Sequence, residues 1–191
     1  MILSSLLERV KSLFKTAEKK AVTALNTKTI TFTTVTGDPT DLTALPPFNR
    51  QDPKEVAAMT VLALCRYSKN QEECFAMLND LKGPDPLSNI DKEFIRDRFA
   101  DEHDYVVRSY FVGATPENDY TPSRPLQVKI IEQSNSFDSS PYARLWIQCG
   151  GSDSPRQITL RKKSSTGEWF VNQHQSLLAG IRLPRSQDKW A

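Results

Sequence analysis

The sequence predicts an α+β fold, with N-terminal helices packed on a mainly antiparallel sheet of about five strands. Two observations predict it. Between Pro53 and Phe99 the apolar residues recur at three- and four-residue spacing, whereas beyond Asp104 the spacing changes to two. Helices first and strands afterwards are the pattern of helices layered on one face of an antiparallel sheet. The length of 191 residues suits one domain or one domain plus an arm. With 25% charged residues and a mean hydropathy of −0.49, the composition is that of an ordinary soluble globular chain.

Residues 2–21 carry apolar side chains at Ile2, Leu3, Leu6, Leu7, Val10, Leu13, Phe14, Ala17 and Ala21, one face of an amphipathic helix. Arg9, Lys11, Lys15, Lys19 and Lys20 outnumber Glu8 and Glu18 on the remainder, so residues 1–27 read as a basic helical arm and 28–191 as the domain. Thr29 to Thr36 reads as a short strand with Ile30 and Phe32 on one face. Four prolines between Gly37 and Pro53 mark a connecting loop. Asp52 and Pro53 supply an N-cap and first turn for a helix to Ser68, apolar nearly all round and therefore central.

A second helix is expected over Gln71–Leu81, with Cys74, Phe75, Met77, Leu78 and Leu81 inward and Lys82-Gly83 closing it. Ser88 and Asp91 resemble a capping box before a third, which carries Ile90, Phe94, Ile95 and Phe99. Strands are then expected over Tyr105–Val112, Leu126–Ile131, Tyr142–Cys149, Gln157–Lys163 and Glu168–His174, the last two joined through Ser164-Ser165-Thr166-Gly167 as a hairpin.

The net charge of +2 is unevenly spread. Residues 1–36 hold six basic and two acidic groups, residues 37–104 eight and fourteen, and residues 105–191 eleven and seven. An acidic middle lies between two basic ends, which bears on partners rather than on fold. Three cysteines form no CxxC pair, the opening MILSSLLERVKSLF has no charged region before an apolar run, and the longest apolar stretch, Val56–Cys65, is too short to cross a bilayer. A reduced cytoplasmic protein is expected, with peripheral contact at the inner face of the membrane as an alternative.

The strings TVTGDPTDLTALP, MTVLALCRYSKN, MLNDLKGPDPLSNIDKEFIRDRF, SYFVGATPENDYTPSRPLQV and CGGSDSPRQITLRKKSSTGEWFV, with the terminal Asp188-Lys189-Trp190-Ala191, resemble a bacterial family of uncharacterised proteins, a domain of unknown function, over about residues 33–191. The resemblance implies one intact domain and brings no activity, cofactor or catalytic residue. By shape alone, helices followed by long antiparallel strands are similar to the nuclear-transport-factor-2-like cone, a minority alternative that chooses no function.

Catalytic constellations are thin. Cys149 before Gly150-Gly151-Ser152-Asp153, with His174 as base, would supply a nucleophile, yet strand parity puts Cys149 beside Ala143, Leu145 and Ile147 as a buried small hydrophobe. His103 in Asp101-Glu102-His103-Asp104 lacks converging ligands, and Asp80, Asp85 and Asp91 lack calcium-loop spacing, so no metal is expected. No GxGxxG, GxxxxGK or GxSxG occurs, and no cofactor is expected.

The sheet offers more. Tyr142, Arg144, Trp146 and Gln148 share the face opposite Cys149, and Arg108, Tyr110, Gln127, Lys129, Thr159, Arg161 and Lys163 have the parity to join them. An aromatic and basic face would suit an anionic small ligand or a partner, and equally an exposed sheet face on which cationic stems cover the aromatics. Nucleic acid is disfavoured by the low total charge. The candidate ligand or partner face is Arg108, Tyr110, Lys129, Tyr142, Arg144, Trp146, Arg161 and His174. The candidate membrane or partner helix is Leu6, Arg9, Val10, Leu13, Phe14 and Lys15. The expected function is a non-enzymatic binding or protein-interaction module. The alternative is an enzyme or small-ligand-binding protein with a pocket between sheet and helices, where His174, Cys149, Asp153 or Arg144 would act.

Overall fold

The computed structural model describes residues 26–100 and 103–190, together with Arg9 and Lys11. The helix read over residues 2–21 therefore lies outside the described residues, as do Leu6, Val10, Leu13, Phe14 and Lys15; Arg9 is exposed.

Five strands form one antiparallel sheet in sequence order: β1 (Thr27–Thr31), β2 (Gln127–Ile131), β3 (Tyr142–Ile147), β4 (Arg156–Lys162) and β5 (Trp169–Gln173). Among the described residues, four α-helical elements are inserted between β1 and β2: α1 (Pro53–Cys65), α2 (Gln71–Lys82), α3 (Asn89–Arg98) and the single turn α4 (Tyr105–Arg108). This is the α+β class expected, with the first strand completing the sheet from the other side of the helical insertion.

Local chemistry sets each helix. Asp52 caps α1 by accepting from Lys54 N at 2.8 Å, with Pro53 in the first turn, where its missing N–H costs nothing. Every residue from Val56 to Cys65 is buried, because α1 crosses the sheet, touches all five strands and is packed on its other side by α2 and α4. Its near-uniform apolarity is the signature of that central place. The capping box of α3 is present in both halves: Asp91 N donates to Ser88 Oγ at 3.1 Å and Ser88 N donates to Asp91 Oδ2 at 3.0 Å. Gly83 ends α2 at φ +59°, and a Cβ placed there would overlap the ring of Phe170. A side chain is excluded twice at that position, by backbone conformation and by space.

The expected strand at Tyr105–Val112 is the main correction. Tyr105–Arg108 is a helical turn, and pairing survives only as an isolated bridge between Phe111 and Val128. The reason is visible in burial: Tyr105, Val106 and Val107 are all buried, as are Ser109, Tyr110 and Phe111, so the segment has no solvent face with which to alternate. β-branched and aromatic composition reports the packed interior here, not an extended backbone. β1 also ends earlier than expected, at Thr31, although Phe32 N still donates to Leu126 O at 2.9 Å.

Candidate functional site

Registers establish which expected residues meet. Tyr142 lies opposite Arg161, Arg144 opposite Thr159, Trp146 opposite both Gln157 and Ile131, and Lys129 opposite Thr29. Partners in antiparallel register share a face, so Lys129, Tyr142, Arg144, Trp146 and Arg161 do form one outer face, and the Arg161 guanidinium sits 5.6 Å from the Tyr142 ring centre. Ala143, Leu145, Ile147 and Cys149 point the other way and are buried.

Three expected members do not join that face. Arg108 is on α4, with Nη2 3.1 Å from Asp38 and Nε 3.1 Å from Asp104. Tyr110 is buried and donates to Leu177 O at 2.7 Å. His174 is buried, 1% exposed, behind the sheet's end near Lys82 and Asp91. The first two follow from the lost strand, because their parity argument required an extended backbone.

Cys149 sits in a local hydrogen-bond chain. Ser109 Oγ donates to Val106 O at 2.5 Å, which leaves the contact of 3.1 Å between Ser109 Oγ and Cys149 Sγ to be made by the thiol proton. Gly151 N donates to the same sulfur at 3.3 Å. Such a chain, running from an amide through the thiol and hydroxyl to a carbonyl, gives the sulfur a fixed structural place and no base. Burial pushes the Cys65 thiol far up and Cys74 up to about 12, so neither is an activated nucleophile.

A more productive arrangement lies where the end of α2 meets the β4–β5 hairpin. A cleft of about 300 Å³ is walled by Lys82, Pro84 and Asp85 on one side and by residues 161–164 and 170–172 on the other. Its side chains include Lys82, Arg161, Lys162 and Lys163 against one carboxylate, Asp85. A β-bulge shapes this wall: Thr159 faces Gln173 and Leu160 faces Val171, so Asn172 is the extra residue. Bulges take a residue out of the ladder and re-aim it. The freed carbonyl of Asn172 accepts from Lys82 Nζ, at a long 3.5 Å.

Lys82 itself is 5% exposed, and the bond to Asn172 is its one hydrogen bond among the described residues. An ammonium carries three donors, and buried charges are ordinarily paired; here no carboxylate touches it. Asp91 feels its charge only as one contribution: burial would raise that carboxyl, but hydrogen bonds from Ser88, the charge of Lys82 and a bond from Gln175 hold it below the ordinary value. His174 has no hydrogen-bond partner at either ring nitrogen among the described residues. Burial, and then the positive charge of Lys82, push its pKa down to about 4 against a weaker pull upward from Asp91. The imidazole is neutral at neutral pH, and adds no charge beside Lys82.

The other cations of the cleft are partly engaged. Lys162 Nζ lies 5.6 Å from the Trp169 ring centre, and Arg161 over Tyr142 as above. Lys163 and Ser164 are exposed at the hairpin. A larger recess of about 480 Å³ lies beside Arg108, Tyr120 and Arg124, but there Arg108 is already matched by Asp38 and Asp104.

Sequence reasoning named Arg161 and placed Lys163 on the sheet face, but missed Lys82, Phe170 and Asn172 as members of a site. One signal was present: Cys74, Leu78 and Lys82 are spaced by four, so Lys82 falls on the inward row of α2. The bulge at Asn172 leaves no sequence signal.

The sequence around this fold matches a recognised family. Its profile, described as a domain of unknown function (DUF6935), matches residues 35–185, and the chain belongs to that family. Comparison with curated proteins and with solved structures finds no match. No helix among the described residues is long and apolar enough to cross a membrane.

Proposed function

We propose that this chain is a non-enzymatic binding module whose ligand is a small anion held in the cleft between the end of α2 and the β4–β5 hairpin. The observation that carries the reading is Lys82, a buried cation in the cleft wall with one long hydrogen bond and no contacting carboxylate. Burying a charge so poorly matched is costly unless a counter-charge arrives. The buried, hydrogen-bonded sulfur of Cys149 and the enclosed, neutral His174 favour binding over catalysis.

Native mass spectrometry of the full chain with millimolar pyrophosphate tests the proposal. One adduct per chain, lost in Lys82→Met, is expected. Retention of the adduct in that variant, or its absence from the unsubstituted protein, would overturn the reading.

The shared face of Lys129, Tyr142, Arg144, Trp146 and Arg161 favours a second reading, a protein partner docked on the sheet. A photo-crosslinker at Gln148 should then capture a discrete partner in cells, and one at Ile90 on α3 should not; equal capture from both positions would sink it. The cytoplasmic placement and a membrane contact through residues 1–21 belong to the same proposal. Removing residues 1–27 should abolish binding to anionic vesicles, and undiminished binding would eliminate the membrane contact.

A further inference from the structure

We infer that the ligand of the α2–hairpin cleft is a phosphate monoester carrying one small planar or aromatic group, with the phosphate held between Lys82 and Lys163 and the ring laid against Phe170 and Pro84. The inference rests on the anion-binding reading above and deepens it in three steps.

The first step is which donors remain. Of the four cations, Lys162 is drawn over Trp169 and Arg161 over Tyr142. Lys82, with two of its three N–H groups unused among the described residues, projects from the helix side, and Lys163 from the hairpin side, next to the Ser164 hydroxyl. Donors therefore approach from opposite walls. A tetrahedral phosphate presents oxygens in all those directions, whereas a carboxylate accepts in a single plane.

The second step is charge. Lys82 and Lys163 meet a single carboxylate in the lining, Asp85, which is exposed at the rim, and Arg161 and Lys162 add positive charge nearby although their heads lie over Tyr142 and Trp169. That surplus favours a dianion over a monoanion. Asp85 opposes any anion, and its removal should tighten binding.

The third step is the body of the ligand. The cleft volume of about 300 Å³ exceeds what a bare phosphate fills, since a water occupies roughly 30 Å³ of liquid. The remainder is walled by the half-buried ring of Phe170 and by Pro84. Phe170 is fixed in place, because Gly83 abuts its ring and the Arg50 guanidinium, paired with Asp80, lies 5.6 Å from its centre. A ring held so firmly is a platform already ordered for stacking.

Calorimetric titration of the full chain with four probes separates the possibilities: inorganic phosphate, phenyl phosphate, benzoate and benzyl alcohol. Phenyl phosphate is expected to bind about tenfold tighter than inorganic phosphate, a difference of about 1.4 kcal/mol that needs roughly 55 Å² of apolar surface covered. Benzoate should bind at least about tenfold more weakly than phenyl phosphate, and benzyl alcohol not measurably. Lys82→Met and the surface variant Lys163→Gln should each weaken phenyl phosphate by about tenfold, as expected for loss of a hydrogen bond to a charged group, and Asp85→Asn should strengthen it.

Equal affinity for inorganic and phenyl phosphate would leave the anion site standing and overturn the aromatic ester. Equal affinity for benzoate and phenyl phosphate would overturn the phosphate. Binding of none of the anions, or binding indifferent to both Lys82→Met and Lys163→Gln, would overturn the anion-binding reading itself. Should Lys82→Met fail to fold, Lys163→Gln and Asp85→Asn, both at exposed positions, carry the decision with their opposite signs.

Discussion

His174 predicts a loss of stability in mild acid that one substitution should remove. In the unfolded chain its imidazole titrates near 6.5, and in the folded protein burial and the charge of Lys82 push it down to about 4. Between those values the unfolded state binds a proton that the folded state refuses, so stability falls as the pH drops. At about 1.4 kcal/mol for each pH unit, the fall from 6.5 to 4 comes to about 3 kcal/mol. It is a large share of the roughly 5–15 kcal/mol typical of a folded domain. Asp38, Asp52 and Asp91 act in a lower window. Burial would raise each carboxyl, but hydrogen bonds and neighbouring cations outweigh it and hold all three below the ordinary 3.8. Their stabilisation is therefore complete above about 3.8 and is lost below it. Urea unfolding at pH 7, 6, 5 and 4.3 isolates the histidine. The natural chain should lose about 2–3 kcal/mol across that range, and His174→Leu, which fills the same space without a titrating group, should lose far less. Parallel curves for the two proteins would refute the assignment of the acid sensitivity to His174, whatever their absolute stabilities.

Other expectations can be checked alongside. Gly83→Ala should destabilise the fold by more than about 1 kcal/mol, since it adds strain at positive φ to a collision with Phe170; an unchanged Tm would show that the helix end can move. Ser88→Ala should cost about 1 kcal/mol through the lost hydroxyl half of the capping box of α3, read as a shift in urea midpoint, and no shift would mean that the hydroxyl adds nothing to the helix start beyond the retained bond from the residue-88 amide to Asp91. All three cysteines are buried, so a thiol-specific reagent should label none of them in the folded protein at pH 8 and all of them in urea. Rapid labelling of Cys149 in the native state would refute the structural place given to its thiol.

The layered architecture was legible because helix and strand periods each reflect one buried face. Asp52-Pro53, Ser88 with Asp91, and Gly83 marked the helix ends chemically, and the period-two pattern of β2, β3 and β4 gave the correct facing of Val128, Ile130, Ala143, Leu145 and Ile147. Residues 105–112 misled for a reason of the same kind. A segment buried all round has no period to detect, so its aromatic and β-branched side chains argued for a strand that the packing beneath α1 does not form. Arg108 followed it out of the sheet and into an ion-paired cluster with Asp38 and Asp104, 70 and 4 residues away in sequence.

The cleft was legible only in part, and the missing part is instructive. The run Arg161-Lys162-Lys163-Ser164 announces positive charge at a hairpin, but charge at a hairpin is usually solvated and idle. What changes its meaning is a second cation, Lys82, brought to it by the inward row of α2, and a carbonyl turned toward that cation by one extra residue in β5. Neither the pairing of α2 with β5 nor the position of a bulge is written in local sequence, because both are settled by how the sheet's edge strand accommodates the helix end. A β5 variant lacking Asn172 would restore an unbroken ladder and re-aim the residues beyond it. It should release Lys82 from the sheet and weaken pyrophosphate binding while the far strands β1 and β2 keep their hydrogen-exchange protection. If binding instead survives the deletion unchanged, the bulge has no part in building the site, and Lys82 finds its place from α2 alone.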